Sequence, residues 1–169
     1  MSKAPGVLTD AVRQAARSSV LCWLATVDAQ GQPNVSPKEV WAIADDQHVV
    51  VANIASPVSV RNIAHQPRVC LSFVDVLVQK GFKLQGTARE LLPTHADYAG
   101  WAAPVLAMAG DRIPVRSVLL IVVQSVQPIV APSYWLFPES TTEASQIEAA
   151  RRSYGFGPSN DSLKVDKEK

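Results

Sequence analysis

The sequence predicts a mainly β protein with short helices, folded as a six-stranded antiparallel barrel of Greek-key-like order with flanking helices. Apolar segments of strand length alternate with short turns that contain glycine or aspartate, which is typical of antiparallel hairpins. Hydrophobic residues make up 47% of the 169 residues and charged residues 18%, so the chain has enough apolar side chains for a core. No repeat or linker divides the chain, and we expect one domain over residues 1–157.

Strands and short helices alternate along this domain. The predicted strands cover residues 20–27, 34–43, 48–52, 69–74, 78–92 and 116–131. The predicted helices cover residues 8–17, 56–65, 95–109 and 141–154. Residues 158–169 are polar and charged with few apolar side chains, which predicts a disordered tail.

The first elements are marked by a change in the period of the apolar residues. Leu8 and Val12 recur at helical spacing, whereas residues 20–27 form a continuous apolar run that predicts a strand. Gly31 then permits the positive φ of a hairpin turn, which leads into the strand at 34–43.

Helix starters and strand breakers mark the middle of the chain. Ser56 is a preferred N-cap and Pro57 is favoured at the first helical position, so the pair predicts the start of the second helix. Gly81 and Gly86 lie inside the long fifth strand, where glycine predicts the bends or bulges that a barrel needs. Pro104 is expected to kink or split the third helix.

The C-terminal helix has start and stop signals at both of its ends. Residues 140–143 read Ser-Thr-Thr-Glu, which matches a capping box that begins at Ser140. Gly155 and Gly157 follow the last apolar positions and are expected to end the helix.

Charge balance and hydropathy exclude two classes of partner. Sixteen basic and fifteen acidic residues leave a net charge of +1, which does not favour a nucleic-acid partner. The longest apolar run, residues 118–123, is too short to cross a bilayer, and residues 1–10 do not resemble a signal peptide. We therefore expect a cytoplasmic protein without membrane association.

Motifs for metal binding, nucleophilic catalysis and nucleotide binding are absent from the sequence. Cys22 and Cys70 lie in apolar runs and are interpreted as buried thiols rather than a disulfide or ligand pair. The histidines lack metal-ligand spacing, and no G-x-S-x-G, G-x-G-x-x-G or Walker motif occurs. The sequence therefore assigns no metal site and no catalytic residue.

The start of the second helix is one candidate binding site. Its first backbone N–H groups and the helix dipole favour an anion such as phosphate. Ser56, Ser59 and Arg61 would add side-chain donors at the same place. The alternative is an ordinary capped connecting helix with a solvated arginine.

A second candidate site is one face of the strand predicted at 34–43. Strand alternation places Asn34, Ser36 and Lys38 on the same face. Three polar side chains in a row would line a ligand groove, or they would simply form the water-facing side of a half-buried strand.

Several stretches of the chain match one known family in their order and spacing. The matching residues are 24–28, 31–38, 51–53, 56, 61–63, 66–69 and 82–89. Together they resemble the pyridoxamine 5'-phosphate oxidase-like family over residues 18–130. The resemblance implies an FMN-binding split β-barrel that forms a homodimer with two flavins at the subunit interface.

The same resemblance implies a set of cofactor-binding residues. They are Ser36, Pro37 and Lys38 along the flavin, Ala52, Asn53 and Ile54 under the ring or ribityl chain, Ser56, Ser59 and Arg61 at the phosphate, and Lys80 and Gly81 at the ring. Members of the family commonly carry Lys or Arg about where this chain has Val58 and Ser59. Arg61 would therefore carry more of the phosphate neutralisation here.

The implied function is that of an FMN-dependent oxidoreductase that acts on a small molecule, with a nicotinamide compound as electron donor. The chain lacks the basic and aromatic C-terminal signature with which family members bind vitamin B6 substrates, so we do not expect pyridoxamine phosphate oxidation. The alternative is a non-catalytic protein on the same fold, which binds or senses FMN or another cofactor such as deazaflavin F420 or haem.

Overall fold

The computed structural model describes residues 7–156. Its strands are β1 (Cys22–Val27), β2 (Pro33–Lys38), β3 (Trp41–Ile43), β4 (His48–Asn53), β5 (Arg68–Asp75), β6 (Lys80–Leu91) and β7 (Ser117–Val130). Its helices are α1 (Asp10–Arg17), α2 (Pro57–His65), α3 (Tyr98–Ala109), α4 (Ser133–Leu136) and α5 (Glu143–Ser153), with a 3-10 helix at Gly110–Arg112. The mainly β class with flanking helices is confirmed. No helix within the described residues is long and apolar enough to cross a membrane.

The strands form one antiparallel sheet in the order β2-β1-β5-β6-β7-β4-β3. β2 and β3 are the two edges of this sheet, yet only Glu39 and Val40 separate them along the chain. The sheet must therefore curl until its edges meet, as in a barrel. At the junction the amide of Ala52 donates to the carbonyl oxygen of Val40 at 2.9 Å.

The expected count of six strands is wrong, because the strand predicted at 34–43 is two strands. β2 pairs with β1, whereas β3 pairs with β4 on the opposite edge. A change of pairing partner does not alter the alternation of side chains, so the apolar pattern does not reveal it. This crossing brings Lys38, the last residue of β2, next to the end of β4.

Apolar clusters on both faces of β4 fix this strand in the barrel. Val49 and Val51 pack with Phe73 in one cluster, which also receives the apolar side of α1. Val50 and Ala52 point to the other face and pack under α3. Because both faces are buried, the strand reads as a continuous apolar run. Ala52, which lines the site described below, is therefore held in place by packing under α3.

Two glycines of β6 allow close approach of neighbouring strands. A Cβ at Gly81 would lie 2.0 Å from the carbonyl oxygen of Phe73, and a Cβ at Gly86 would lie 2.0 Å from that of Val122. The pairing of β6 with β7 shifts register between Gln85 and Gly86, which confirms the irregularity expected at this glycine.

The third helix differs from its prediction at two points. It begins at Tyr98 rather than residue 95, and it continues through Pro104 to Ala109, so the helix is not split there, and the kink given as the alternative stays a prediction. Proline leaves the carbonyl four residues earlier without its helical partner, and that carbonyl belongs to Gly100. Nothing packs within 4 Å of the Cβ position of Gly100, so water can reach this part of the helix.

The C-terminal helix has a capping box, but two residues later than predicted. Thr142 accepts from the amide of Ser145 at 3.1 Å, and the hydroxyl of Ser145 accepts from the amide of Thr142 at 2.9 Å. Ser140 and Glu143 are therefore not the capping pair. Gly155 follows the helix with a φ of 71°, as expected of a stop signal. Gly157 and the tail predicted at 158–169 lie outside the described residues.

Candidate functional site

A cleft of about 290 Å³, which we call the Lys38 cleft, is lined by five of the predicted cofactor residues, namely Pro37, Lys38, Ala52, Ile54 and Ser56, but not by Ser36 or Asn53. It lies between the end of β2, the end of β4 and the residues that lead into α2. Its lining residues are Leu21, Pro37, Lys38, Glu39, Val40, Ala52, Ile54, Ala55 and Ser56. The crossing from β2 to β3 explains this convergence, because it places two distant stretches of sequence side by side.

Lys38 carries the only ammonium group among the residues that line this cleft. The residue is 5% exposed, and its Nζ donates a hydrogen bond to Ser56 Oγ at 2.5 Å. Within residues 7–156 no carboxylate oxygen lies within 4.0 Å of this nitrogen. Burial lowers the pKa of Lys38, because the charged form loses its hydration. A buried cation without an anionic neighbour is costly unless a ligand supplies the missing acceptor.

Cys22, a titratable neighbour of Lys38, does not supply a negative charge. Cys22 lies opposite Lys38 in the pairing of β1 with β2. Burial raises the pKa of the Cys22 thiol well above its ordinary range, so the group stays neutral near pH 7.

Ser56 holds the N-cap position of α2, as predicted, but its side chain does not cap the helix. Its hydroxyl oxygen accepts from Lys38 Nζ, and no other side chain caps α2 within the described part of the chain. Pro57 has no N–H group, so the free donors of the first turn belong to Val58 and Ser59. These donors and the positive end of the helix dipole favour an anion at this end of α2.

Asn53 joins the start of α2 to the far side of β4 through buried polar groups. Its Oδ1 accepts from the amide of Ser56 at 3.2 Å, and its Nδ2 donates to Ser117 Oγ at 2.8 Å. Ser117 Oγ in turn donates to Glu90 Oε1. The sequence reasoning missed Ser117 and Glu90, because no local motif marks either residue.

Ser36 and Ser59 lie together beside the cleft, and their hydroxyl groups hydrogen-bond to each other. Their Oγ atoms are 3.1 Å apart and share one hydrogen bond between β2 and α2. Ser59 is only 1% exposed, whereas the neighbouring Val58 is 40% exposed. Of the two positions where relatives carry a basic residue, only position 58 would present that charge to solvent.

Arg61 lies in a neighbouring cleft of about 460 Å³ on the same side of α2, which we call the Arg61 cleft. Its lining residues are Asp28, Ala29, Gln30, Gln32, Pro33, Asn34, Val58, Arg61, Asn62 and His65. Both clefts have a wall near the start of α2, since Ser56 lines one and Val58 lines the other. The buried amide of Asn62, which donates to Thr26 Oγ1 at 3.0 Å, anchors this helix to β1.

Lys80 and Gly81 do not join the other expected site residues within one chain. β1 and β5 separate their strand, β6, from β2 in the sheet. Lys80 Nζ donates to Glu143 Oε1 at 2.8 Å and lies 4.4 Å from the ring centre of Tyr134. The hydrogen bond to Glu143 raises the pKa of Lys80. Contact of these two residues with a flavin stays a prediction.

A larger cleft, of about 540 Å³, lies elsewhere, between α1 and β3. Its charged lining residues are Arg13, Arg17 and Glu39, and Arg13 already pairs with Asp46 at 2.8 Å. Glu39 also lines the Lys38 cleft, so that cleft has a carboxylate at its rim which the sequence reasoning did not foresee. Five of the predicted cofactor residues therefore line the Lys38 cleft, and none of them lines this larger cleft.

The fold and the site together define a β-barrel protein with a cleft where the two sheet edges meet. The family model for pyridoxamine 5'-phosphate oxidase matches residues 8–129, and the chain belongs to this family. Among curated proteins none matches the chain at a significant level. The family membership confirms the resemblance found in the sequence.

Solved structures of the same fold differ in the cofactor that their names record. HupZ from Group A Streptococcus is 26% identical, with 73% of this chain and 94% of that chain covered and a TM-score of 0.63. A haem-binding protein from Mycobacterium smegmatis is 27% identical, with 70% and 52% covered and a TM-score of 0.53. An FMN-binding protein from Syntrophomonas wolfei is 14% identical, with 69% and 82% covered and a TM-score of 0.58. The last likeness shows the fold alone. Together they confirm the split barrel.

Proposed function

We propose that this protein is a cytoplasmic flavoprotein that binds FMN in the Lys38 cleft and uses it to oxidise or reduce a small molecule. The observation that carries the proposal is the buried ammonium of Lys38, which has a single hydroxyl acceptor and no carboxylate partner in the described chain. A flavin ring offers several hydrogen-bond acceptors and an extended apolar surface. The apolar walls of the cleft, Ala52 and Ile54, suit that surface.

The phosphate of FMN fits the first turn of α2. The uncapped N–H groups of Val58 and Ser59 point out of this end of the helix, and Arg61 adds a guanidinium in the adjoining cleft. Arginine is suited to phosphate because its planar group donates two parallel hydrogen bonds. Two clefts with walls near the start of α2 suit a cofactor with an apolar ring at one end and an anion at the other.

Bound FMN would supply the electron-transfer chemistry, and the protein would bind, orient and shield it. Lys38 would donate a charge-assisted hydrogen bond to the ring, and Ser56 would hold that ammonium in place. We assign no acid or base to the reaction. We also do not propose vitamin B6 oxidation, because the C-terminal signature for that substrate is absent from the sequence.

The proposed redox function predicts that a nicotinamide donor reduces the bound flavin. Under anaerobic conditions, NADH or NADPH should bleach the visible flavin band of the FMN-loaded protein faster than that of free FMN, because the protein holds the ring for hydride transfer. Stopped-flow absorbance provides the measurement. If NADH and NADPH each reduce bound and free flavin at equal rates, the proposed redox function is contradicted, and the protein only binds FMN.

We further propose that the active species is a homodimer. The outward face of β1 and β2 carries exposed apolar side chains, with Trp23 44% and Val35 59% exposed. A second subunit would cover this face, and it would bring its own Lys80 and Gly81 within reach of the cofactor.

Sedimentation equilibrium at micromolar concentration should give a dimer that Trp23→Glu weakens. The matched change Leu106→Glu, at an exposed leucine of α3, should not, and a monomeric parent protein would refute the proposal.

The second candidate is a haem-binding function, which the Mycobacterium smegmatis relative favours. Haem iron usually takes a histidine, cysteine, methionine or tyrosine as axial ligand. None of these residue types lines the Lys38 cleft. His65, the last residue of α2, lines the Arg61 cleft instead. FMN therefore fits the Lys38 cleft better than haem does.

A further inference from the structure

A continuous run of hydrogen bonds links Lys38 to Glu90, across β4. Lys38 Nζ donates to Ser56 Oγ at 2.5 Å, and the Ser56 amide donates to Asn53 Oδ1 at 3.2 Å. Asn53 Nδ2 donates to Ser117 Oγ at 2.8 Å, and Ser117 Oγ donates to Glu90 Oε1. Every donor points in the same direction, from the ammonium at one end toward the carboxylate at the other. We call this run the Glu90 relay.

The middle of the relay is shielded from water. Asn53 and Ser117 are 7% and 1% exposed, and Asn53 Nδ2 also lies 3.4 Å from Glu90 Oε1. Aligned hydrogen bonds in a buried setting strengthen one another, and a buried polar group that loses its partner is costly. The orientation of the Asn53 amide is therefore set by Ser117 and Glu90, which leaves its oxygen facing the Ser56 amide.

This orientation explains why Ser56 does not cap α2. A serine at this position ordinarily turns its hydroxyl oxygen to the N–H groups of the first helical turn. Here Asn53 Oδ1 holds the Ser56 amide, and the backbone of Ser56 takes φ −123° and ψ 54° instead of the extended conformation of a normal cap. The hydroxyl oxygen faces Lys38, and the N–H groups of Val58 and Ser59 remain without a side-chain cap.

We propose that Glu90 is a remote positioning residue, which acts through Ser117 and Asn53 to keep Ser56 from capping α2. Without the relay, Ser56 turns to its ordinary capping conformation, releases Lys38 and occupies the donors of the first turn. The relay thereby keeps the start of α2 open for an anionic group of a ligand. The role of the relay in cofactor binding rests on the proposed function. The effect of the relay on the conformation of Ser56 does not depend on that function.

The test in the free protein is amide hydrogen exchange in Glu90→Ala. The Ser56 amide should exchange about fivefold faster, because it loses a hydrogen bond. The amides of Val58 and Ser59 should exchange more slowly, because Ser56 now caps them. General destabilisation would speed up exchange at every one of these sites, so the opposite directions identify the relay. Arg89→Ala, an exposed neighbour on the same strand, is the control and should change none of them.

The test with ligand is FMN affinity in the same variants. Glu90→Ala should weaken FMN binding about 3- to 10-fold, and Glu90→Gln should retain most of the affinity because its oxygen still accepts from Ser117. In a Ser56→Ala background, Glu90→Ala should change affinity by less than about twofold, since the group it positions is gone. Ser117→Ala breaks the relay at its centre, and it replaces Glu90→Ala in both tests if Glu90→Ala does not fold.

The outcomes separate this inference from the proposed function. If the parent protein binds no FMN, the proposed function fails, and the exchange pattern still decides the relay. If Val58 and Ser59 amides exchange faster or unchanged in both Glu90→Ala and Ser117→Ala, the relay is overturned even where FMN binds. Full additivity of Glu90→Ala and Ser56→Ala in FMN affinity would overturn it as well.

Discussion

Replacement of Lys38 by methionine should weaken FMN binding roughly 10- to 150-fold, the usual effect of a lost charge-assisted hydrogen bond. Lys38 is buried, and its ammonium is the donor that the Lys38 cleft offers to an acceptor on the ring. Methionine keeps a similar length and apolar body, so the cleft keeps its shape. Titration of the flavin by fluorescence quenching provides the affinity.

The same replacement should stabilise the protein when no ligand is bound. Folding buries the Lys38 ammonium and lowers its pKa below the ordinary 10.5. At a pH between the pKa of the folded protein and that of the unfolded chain, the unfolded chain binds more protons than the folded protein. Stability from this group therefore rises with pH across that window. Lys38→Met removes both the cost of burial and this rise, and urea denaturation of parent and variant at several pH values measures the difference.

Lys83→Met is the control for these two results, because Lys83 lies on β6 outside the lining of either cleft. It should leave FMN affinity unchanged. An unchanged affinity in Lys38→Met would show that the Lys38 cleft does not hold the ring. A fall in the stability of free Lys38→Met would show that the hydrogen bond from Lys38 to Ser56 outweighs the cost of burying the ammonium.

Replacement of Arg61 by alanine should weaken FMN binding about 10-fold or more and leave riboflavin binding almost unchanged. Riboflavin lacks the phosphate, so it reports on the ring and ribityl contacts alone. The N–H groups at the start of α2 remain in the variant, and binding of FMN should therefore weaken rather than vanish. Titration of both flavins against the parent and the variant gives the ratio of the two effects.

The exposed Val58 offers a complementary gain of function. Val58→Arg adds a cation to the first turn of α2 without burying it, and it should tighten FMN binding with little effect on riboflavin. Ser59→Lys should instead destabilise the fold, because Ser59 is buried against Ser36. Arg68→Ala, an exposed arginine after α2, is the control. Equal losses of FMN and riboflavin in Arg61→Ala would place the phosphate elsewhere.

Local chemistry predicted the elements of this fold, but not the way in which the chain crosses the sheet. The pair Ser56 and Pro57 marked the start of α2 correctly, since helix starts depend on a few neighbouring residues. The division of one predicted strand at Glu39 and Val40 escaped prediction, because it depends on which strands pair. That crossing is also what creates the Lys38 cleft.

The candidate site was predictable where its residues lie on one strand or one helix turn. Lys38 and Ser36 followed from strand alternation, and Arg61 from its place near a helix start. Glu90 and Ser117 were not predictable, because they reach Asn53 only through sheet register. Asn53 and Ser117 lie 64 positions apart along the chain, and no local pattern encodes that contact.

Titration of the purified protein with FMN, and separately with haem, tests the central claim most directly. The proposed function predicts saturable FMN binding at one flavin per chain, with quenching of flavin fluorescence, and no stoichiometric haem complex. Stoichiometric haem binding with a strong Soret band, together with no quenching of added FMN, would contradict the claim and assign the barrel to haem.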